Sequence, residues 1–296
     1  MKNTIKIAIL SLMTVPFLAS AQKKTTSLDF GLYLGGSNYM GELTKGNMPL
    51  WSKTKLAGGL IARYNYGPYL TFKGTALYGQ IEGSDKNYSD DPYRKRRNLS
   101  FKSDIVEFSI QGEWNILGYE NTRTSYAWTP YLFGGLSVFR FNPKAQFNYI
   151  AGLHDATLQA QDGDWIELQP LGTEGQETTK FNDKRRYALT QVSIPFGVGV
   201  KWQLNDHWAF GIDYGLRKTF TDYLDDASSI YVDNIIVGGA SGPMAVAMKD
   251  RSQEVGETPF ENNDLRGNSG TKDWYMMGGL TLTYRIIGGR QPCFNF

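Results

Sequence analysis

Disulfide chemistry is nearly absent from this chain: its 296 residues contain one cysteine, Cys293. A single thiol cannot close an intrachain bridge, so a disulfide-stapled scaffold is excluded. Charge of one sign is missing too. With Lys2 and Lys6 set aside, 29 basic residues face 29 acidic ones, which argues against a general nucleic-acid surface. Beyond the N-terminal segment no stretch approaches the roughly twenty consecutive apolar residues that a membrane helix needs. Barrel strands alternate and escape such a scan, so this does not exclude an integral protein. Histidine is confined to His154 and His207, and no G-x-S-x-G, H-E-x-x-H or Walker pattern occurs. A nucleophilic triad is poorly supplied, so neither an enzyme nor a bound cofactor is expected.

What is present points to export. Lys2 and Lys6 precede an apolar run from Ile7 to Ala19 and then Ala19-Ser20-Ala21. This is the pattern of a secretory leader over residues 1–21, with Gln22 the first mature residue. The residue directly after the cleavage site is Gln22 and not a cysteine, so no lipid anchor is expected there. The mature chain is rich in glycine (33 in all) and in aromatics (18 Tyr, 16 Phe, 7 Trp), a composition that suits a barrel.

The stretch from Tyr187 to Thr221 carries the clearest pattern. Val192, Ile194, Phe196, Val198, Val200 and Trp202 alternate with Gln191, Ser193, Pro195, Gly197, Gly199 and Lys201. After a turn at Leu204–His207, Trp208, Phe210, Ile212, Tyr214 and Leu216 alternate with Ala209, Gly211, Asp213, Gly215 and Arg217. A strict period of two over ten residues or more predicts two long strands. The polar face holds charges and glycines, too little to build a soluble core, so the apolar face is expected to meet lipid. Pro195 cannot donate a ladder hydrogen bond, and a bulge or local break is expected at it.

Similar alternation predicts strands over 28–37, 56–66, 70–80, about 106–115, 128–141 and 274–286. In the fifth, Leu132, Leu136 and Val138 compete with Tyr131, Phe133 and Phe139, and the phase stays open. The predicted fold is all-β: an eight-stranded antiparallel transmembrane outer-membrane β-barrel spanning 22–287, with long extracellular loops and short periplasmic turns. Tyr66 and Tyr69, Trp114 and Trp128, and Trp202 and Trp208 flank the shorter connections, where an aromatic girdle belongs. Both termini are then periplasmic, including a tail over 288–296.

Eight strands leave an interior just wide enough for side chains. Asp29, Arg63, Lys73, Glu107, Glu113, Lys201, Asp213, Arg217 and Arg285 fall on inward positions, and a paired polar plug is the expected outcome rather than an ion path. Asp222, Asp225, Asp226 and Asp233 offer carboxylates suited to Ca²⁺, but their spacing matches no loop motif and a solvated or Arg-paired rim is the plainer reading. Arg94 to Arg97 could grip lipopolysaccharide phosphates or form a solvated run. Cys293, in the tail, is either an inert thiol or a contact to a periplasmic partner.

The stretch Gly35-Gly36-Ser37-Asn38-Tyr39-Met40-Gly41-Glu42-Leu43 resembles the G-G-S-N-Y-x-G-D/E-L signature of a family of Bacteroidota outer-membrane barrels that includes PorG. Arg217 to Asp226, with Thr221, Asp222, Tyr223, Asp225 and Asp226, resembles it as well, as do Arg266-Gly267-Asn268 and Asp273-Trp274-Tyr275. The resemblance implies a non-enzymatic component of type IX protein secretion that tethers a periplasmic ring, built from a lipoprotein and its partner (PorK and PorN), to the outer membrane. The alternative is a cell-surface barrel of adhesin or lipopolysaccharide-binding type working through its outer loops. The signature glycines allow tight bends after the first strand and Asn38 can cap a turn.

Overall fold

Eight long strands of the computed structural model close on themselves: β1 (Ser27–Met40), β2 (Lys55–Asn65), β3 (Leu70–Ser84), β4 (Ser100–Asn115), β5 (Trp128–Gln146), β7 (Thr190–Gln203), β8 (Trp208–Thr219) and β9 (Trp274–Ile287). A three-residue β6 (Trp165–Glu167) adds only to the far end of β5. Residues 26–44, 49–88, 90–119, 127–178, 180–181 and 184–287 are described; the predicted leader and the tail with Cys293 lie outside them. All ladders are antiparallel, β1 pairs with β9, and β4 pairs with β5 across the predicted connection of middling length. The ring therefore has no free edge.

Alternation puts the two faces where the sequence predicts. Leu32, Leu60, Phe108, Ile110 and Leu136 are each more than 60% exposed on the outside, whereas Ser193, Lys201, Asp213 and Arg217 are buried inside. In water such an outer belt would carry a large cost; in hydrocarbon it is the required surface. Tyr66, Tyr69, Trp114, Trp128 and Trp208 are exposed at the short-turn end and form the girdle there. Ser27 pairs with both Asn65 and Ile287, so the barrel begins and ends at that same short-turn end.

The competing phases of the fifth strand resolve in favour of rings inside. Tyr131, Phe133, Phe139 and Phe141 are buried, while Leu132, Leu136 and Val138 face out. Room for them comes from glycines on the next two strands around the ring, β7 and β8. A Cβ on Gly199 would sit 2.3 Å from the Tyr131 ring, and one on Gly215 would sit 2.7 Å from Phe133. At Pro195 the β5–β7 ladder loses the rungs at 194 and 195, yet Gly134 opposite Phe196 and Ser137 opposite Ser193 keep one register. The structure thus chooses a local break over a bulge.

The long connections differ from the expectation of plain polar loops. β3, β4 and β5 run on past the predicted strand ends, and a short helix α1 (Pro92–Arg97), capped by Asp91, bridges β3 and β4. A second helix, α2 (Asn234–Lys249), is capped by Asp233 and broken at Gly242, whose φ is 81°. Around these elements Leu43, Ile81, Leu99, Phe101, Phe141, Phe147, Leu158, Leu168, Leu224 and Met248 form a continuous apolar core that fills the upper barrel and rises into the loops. The barrel mouth is capped by packed structure.

Candidate functional site at the barrel mouth

Inside the barrel the charges form a closed set of ion pairs. Glu113, fully buried, accepts from Arg63 at 3.0 Å and Lys201 at 2.9 Å and lies 3.3 Å from Lys73. Lys73 reaches Asp213 at 3.4 Å, Arg217 reaches Glu107 at 3.1 Å, and Arg285 reaches Asp29 at 3.0 Å. Every one of the nine predicted inward charges has an opposite partner. Aromatic rings fill the gaps between them, with the Lys73 ammonium 3.9 Å from the Phe133 ring centre. Such a packed, ion-paired interior is a plug.

Above the plug, the four signature stretches meet although the chain separates them by up to about two hundred and thirty residues. Tyr39, at the upper end of β1, donates to Asp225 Oδ2 at 2.7 Å and touches Asp273 Oδ1 at 3.0 Å. Glu42 Oε1 accepts the Asn268 N–H. Gly41 has to be glycine here, because a Cβ would fall 2.0 Å from Asp273 Oδ1 and 2.1 Å from Tyr39 Oη. Asn38 holds the first loop by donating to Leu50 O and Thr54 Oγ1, both at 2.9 Å. Below, Tyr275 and Arg217 share Glu107 and tie the same stretches to the plug.

A second hub lies beside the first. Arg266, fully buried, pairs with Asp226 and Glu174 at 3.3 Å each. Asp226 also accepts Thr173 Oγ1 at 2.6 Å and Tyr187 Oη at 2.7 Å. Glu174 accepts the Ser228 and Ser229 N–H groups and is held below its usual range by Arg266 and Lys184, which outweigh its burial. Tyr187 is stacked between Phe141 and Tyr223. Buried charges so fully paired fix one geometry.

The predicted site residues divide between these hubs. Asp226 turns to Arg266, the Arg-paired rim of the plainer reading, while Asp222 and Asp225 lie with the first hub. Among the described residues no group of three or more His, Cys, Asp or Glu side chains is arranged to hold a metal ion, so the Ca²⁺ expectation for Asp222, Asp225 and Asp226 finds no geometry. Asp233 is spent as the cap of α2. Each member of the basic run has a partner within the chain, though only Arg97 is buried and Lys95 stays at the surface. Arg97 forms a two-point pair with Asp85, Arg96 donates to Thr258 O and Pro259 O, Arg94 donates to Thr44 O, and Lys95 meets Glu257. His154 Nδ1 accepts the Ile150 N–H, and His207 stacks on Tyr284. Sequence reasoning missed Glu174 and Asp85, because each lies in a stretch without periodicity and its arginine partner, Arg266 or Arg97, is at least twelve residues away.

Residues 6–162, just over half of the chain, match a family described as a domain of unknown function (DUF6089). No curated protein matches the chain. In fold the chain is similar to OprG of Pseudomonas aeruginosa (TM-score 0.42, 8% identity, 90% of this chain and 98% of that one). It is similar also to Ail, the attachment invasion locus protein of Yersinia pestis (0.37, 9%, 90% and 100%), and to Neisserial surface protein A (0.35, 8%, 90% and 100%). At such identities the likeness concerns architecture alone. Closure, the outward apolar belt and the girdle make this an outer-membrane β-barrel.

Proposed function

The chain belongs to the family described as a domain of unknown function (DUF6089), and from that premise we propose that it is a non-catalytic outer-membrane component of type IX protein secretion, an anchor for a periplasmic ring of PorK and PorN type. The observation that carries the anchor reading is double occlusion: the lumen is filled by ion pairs and the mouth is covered by packed loops. A barrel closed twice serves as a fixed membrane body. The secretion reading is supported by the resemblance of the four signature stretches, which assemble into one constellation. In this reading the short-turn end faces the periplasm, and its turns together with the tail 288–296 meet the ring lipoprotein, Cys293 included. The basic run from Arg94 to Arg97, on which the surface-loop alternative draws, is already partnered within the chain.

The test is removal of residues 288–296 from the chromosomal copy, with insertion checked by heat-modifiable migration. Loss of both lipoprotein pull-down and cargo secretion, with the barrel inserted, is the expected result. Unchanged pull-down and secretion would overturn the tail as the working surface. Replacement of Cys293 by Ser, read on non-reducing gels, separates a disulfide from a simple contact.

A further inference from the structure

Where the signature stretches meet, two carboxyl groups share one phenol and two more lie beside them, with few cations to balance the four. Tyr39 Oη lies within hydrogen-bond reach of both Asp225 and Asp273. A phenol has one proton, so it donates to one carboxylate; the other contact is a hydrogen bond only when that carboxyl carries a proton of its own. The remaining oxygens are occupied by backbone, Ala227 N–H on Asp225 Oδ1 and Leu224 N–H on Asp273 Oδ2, each at 3.0 Å.

An independent observation concerns Asp222, which is 2% exposed: among the described residues neither carboxylate oxygen has a full hydrogen bond, with Ser228 the polar side chain that acts on it, and Glu42 Oε2 has none either. The facing cations are few. Arg97, from the end of α1, comes no nearer than 4.0 Å to Glu42 Oε2 and already holds Asp85 at two points. Lys272 acts on Asp222, and Glu174 from the second hub adds negative charge. Buried carboxylates without partners take up protons rather than stay ionised. A metal ion would neutralise them equally well, but the side chains are not arranged for one.

We propose that Asp225 and Asp273, joined through Tyr39, together with the adjoining Glu42 and Asp222, form a proton-operated latch that locks the loop after β1 to the segments after β8 and before β9, and that the cap loosens when these protons leave. Burial, reinforced by the neighbouring carboxylates, raises Asp225 to about 7, Glu42 to about 8 and Asp222 to about 6, and puts Asp273 well above its ordinary range. In an open cap the same groups titrate near their ordinary values of about 4. Between these limits the closed form binds more protons than the open one. The latch's contribution is complete below about pH 4 and falls as the pH rises, with the shares of Asp222, Asp225 and Glu42 lost by about pH 8. Glu174 works in the opposite sense, losing its paired stabilisation as the pH falls below its ordinary range, so the cap is tightest under mildly acidic conditions.

The experiment is amide hydrogen exchange of segments 222–229 and 266–273 in the purified full chain, reconstituted in liposomes with a chelator, from about pH 5 to about pH 9 and corrected for intrinsic exchange. Opening should rise at least several-fold across this range. Asp225→Asn combined with Asp273→Asn should hold the cap closed and flatten the profile, with barrel integrity followed by heat-modifiable migration. Should that variant fail to insert, Glu42→Gln alone should remove the alkaline part of the rise. A flat wild-type profile, or variants with an unchanged slope, would overturn the latch. So would closure restored at high pH by added Ca²⁺, which would make the cluster a cation site.

Discussion

Glu113 shows at the scale of one residue why the interior is fixed. Its side chain is fully buried among Arg63, Lys73 and Lys201, so removing it leaves three cations without their shared partner. Breaking a buried ion pair from one side costs about 3–5 kcal/mol. Glu113→Ala should lower the urea midpoint of the folded, heat-modifiable form by a corresponding amount, with Glu113→Gln intermediate because the amide keeps an acceptor. The contrast is Lys95 with Glu257 on the cap surface, a pair half and a third exposed, where about 0–1 kcal/mol is the expected scale. An unmoved midpoint in Glu113→Ala would mean that the network is not what holds the lumen. The parity of the fourth strand was enough to place Glu113 inward in the sequence. That three cations converge on it depends on the registry of β2, β3 and β7 around the ring, which local periodicity does not contain.

At the scale of the element, β5 marks the limit of such periodicity. Rings on its odd positions and Leu or Val on its even ones made the phase undecidable, since bulky groups suit lipid and a packed lumen equally well. The missing information sits in other strands, where Gly199 and Gly215 open the space that Tyr131 and Phe133 fill. Gly215→Ala should therefore overpack the lumen by about 1–3 kcal/mol, and the same change should cost less in a Phe133→Leu background. A double-mutant cycle on the urea midpoint checks this, and additive costs would show that β8 and β5 do not compete for that volume. The cap was hidden for a related reason. Leu43, Leu99, Phe147, Leu158, Leu168 and Leu224 are scattered singly through polar stretches, so neither a period of two nor one of 3.6 arises. α2 was hidden by its own composition, with Gly238, Gly239 and Gly242-Pro243 inside sixteen residues.

For the whole molecule, the two occlusions lie in series and rest on different forces. The plug is electrostatic and belongs to the strands; the cap is an apolar core with buried polar hubs and belongs to the long connections. Strand number explains the first, because an eight-stranded barrel leaves no water-filled bore once its inward side chains are in place. The second is then superfluous as a barrier, which supports reading the cap as structure that presents or holds something rather than as a gate over a channel. Conductance across planar bilayers separates these ideas. The intact protein should show no steady current, and neither should a variant in which residues 228–266 are replaced by a short turn, because the ion pairs around Glu113 and Glu107 remain. Combining that shortened loop with Glu113→Gln should admit small cations, as both barriers are then weakened. A steady current from the shortened loop alone would show that the cap is the true barrier, and the anchor reading would give way to a gated pore.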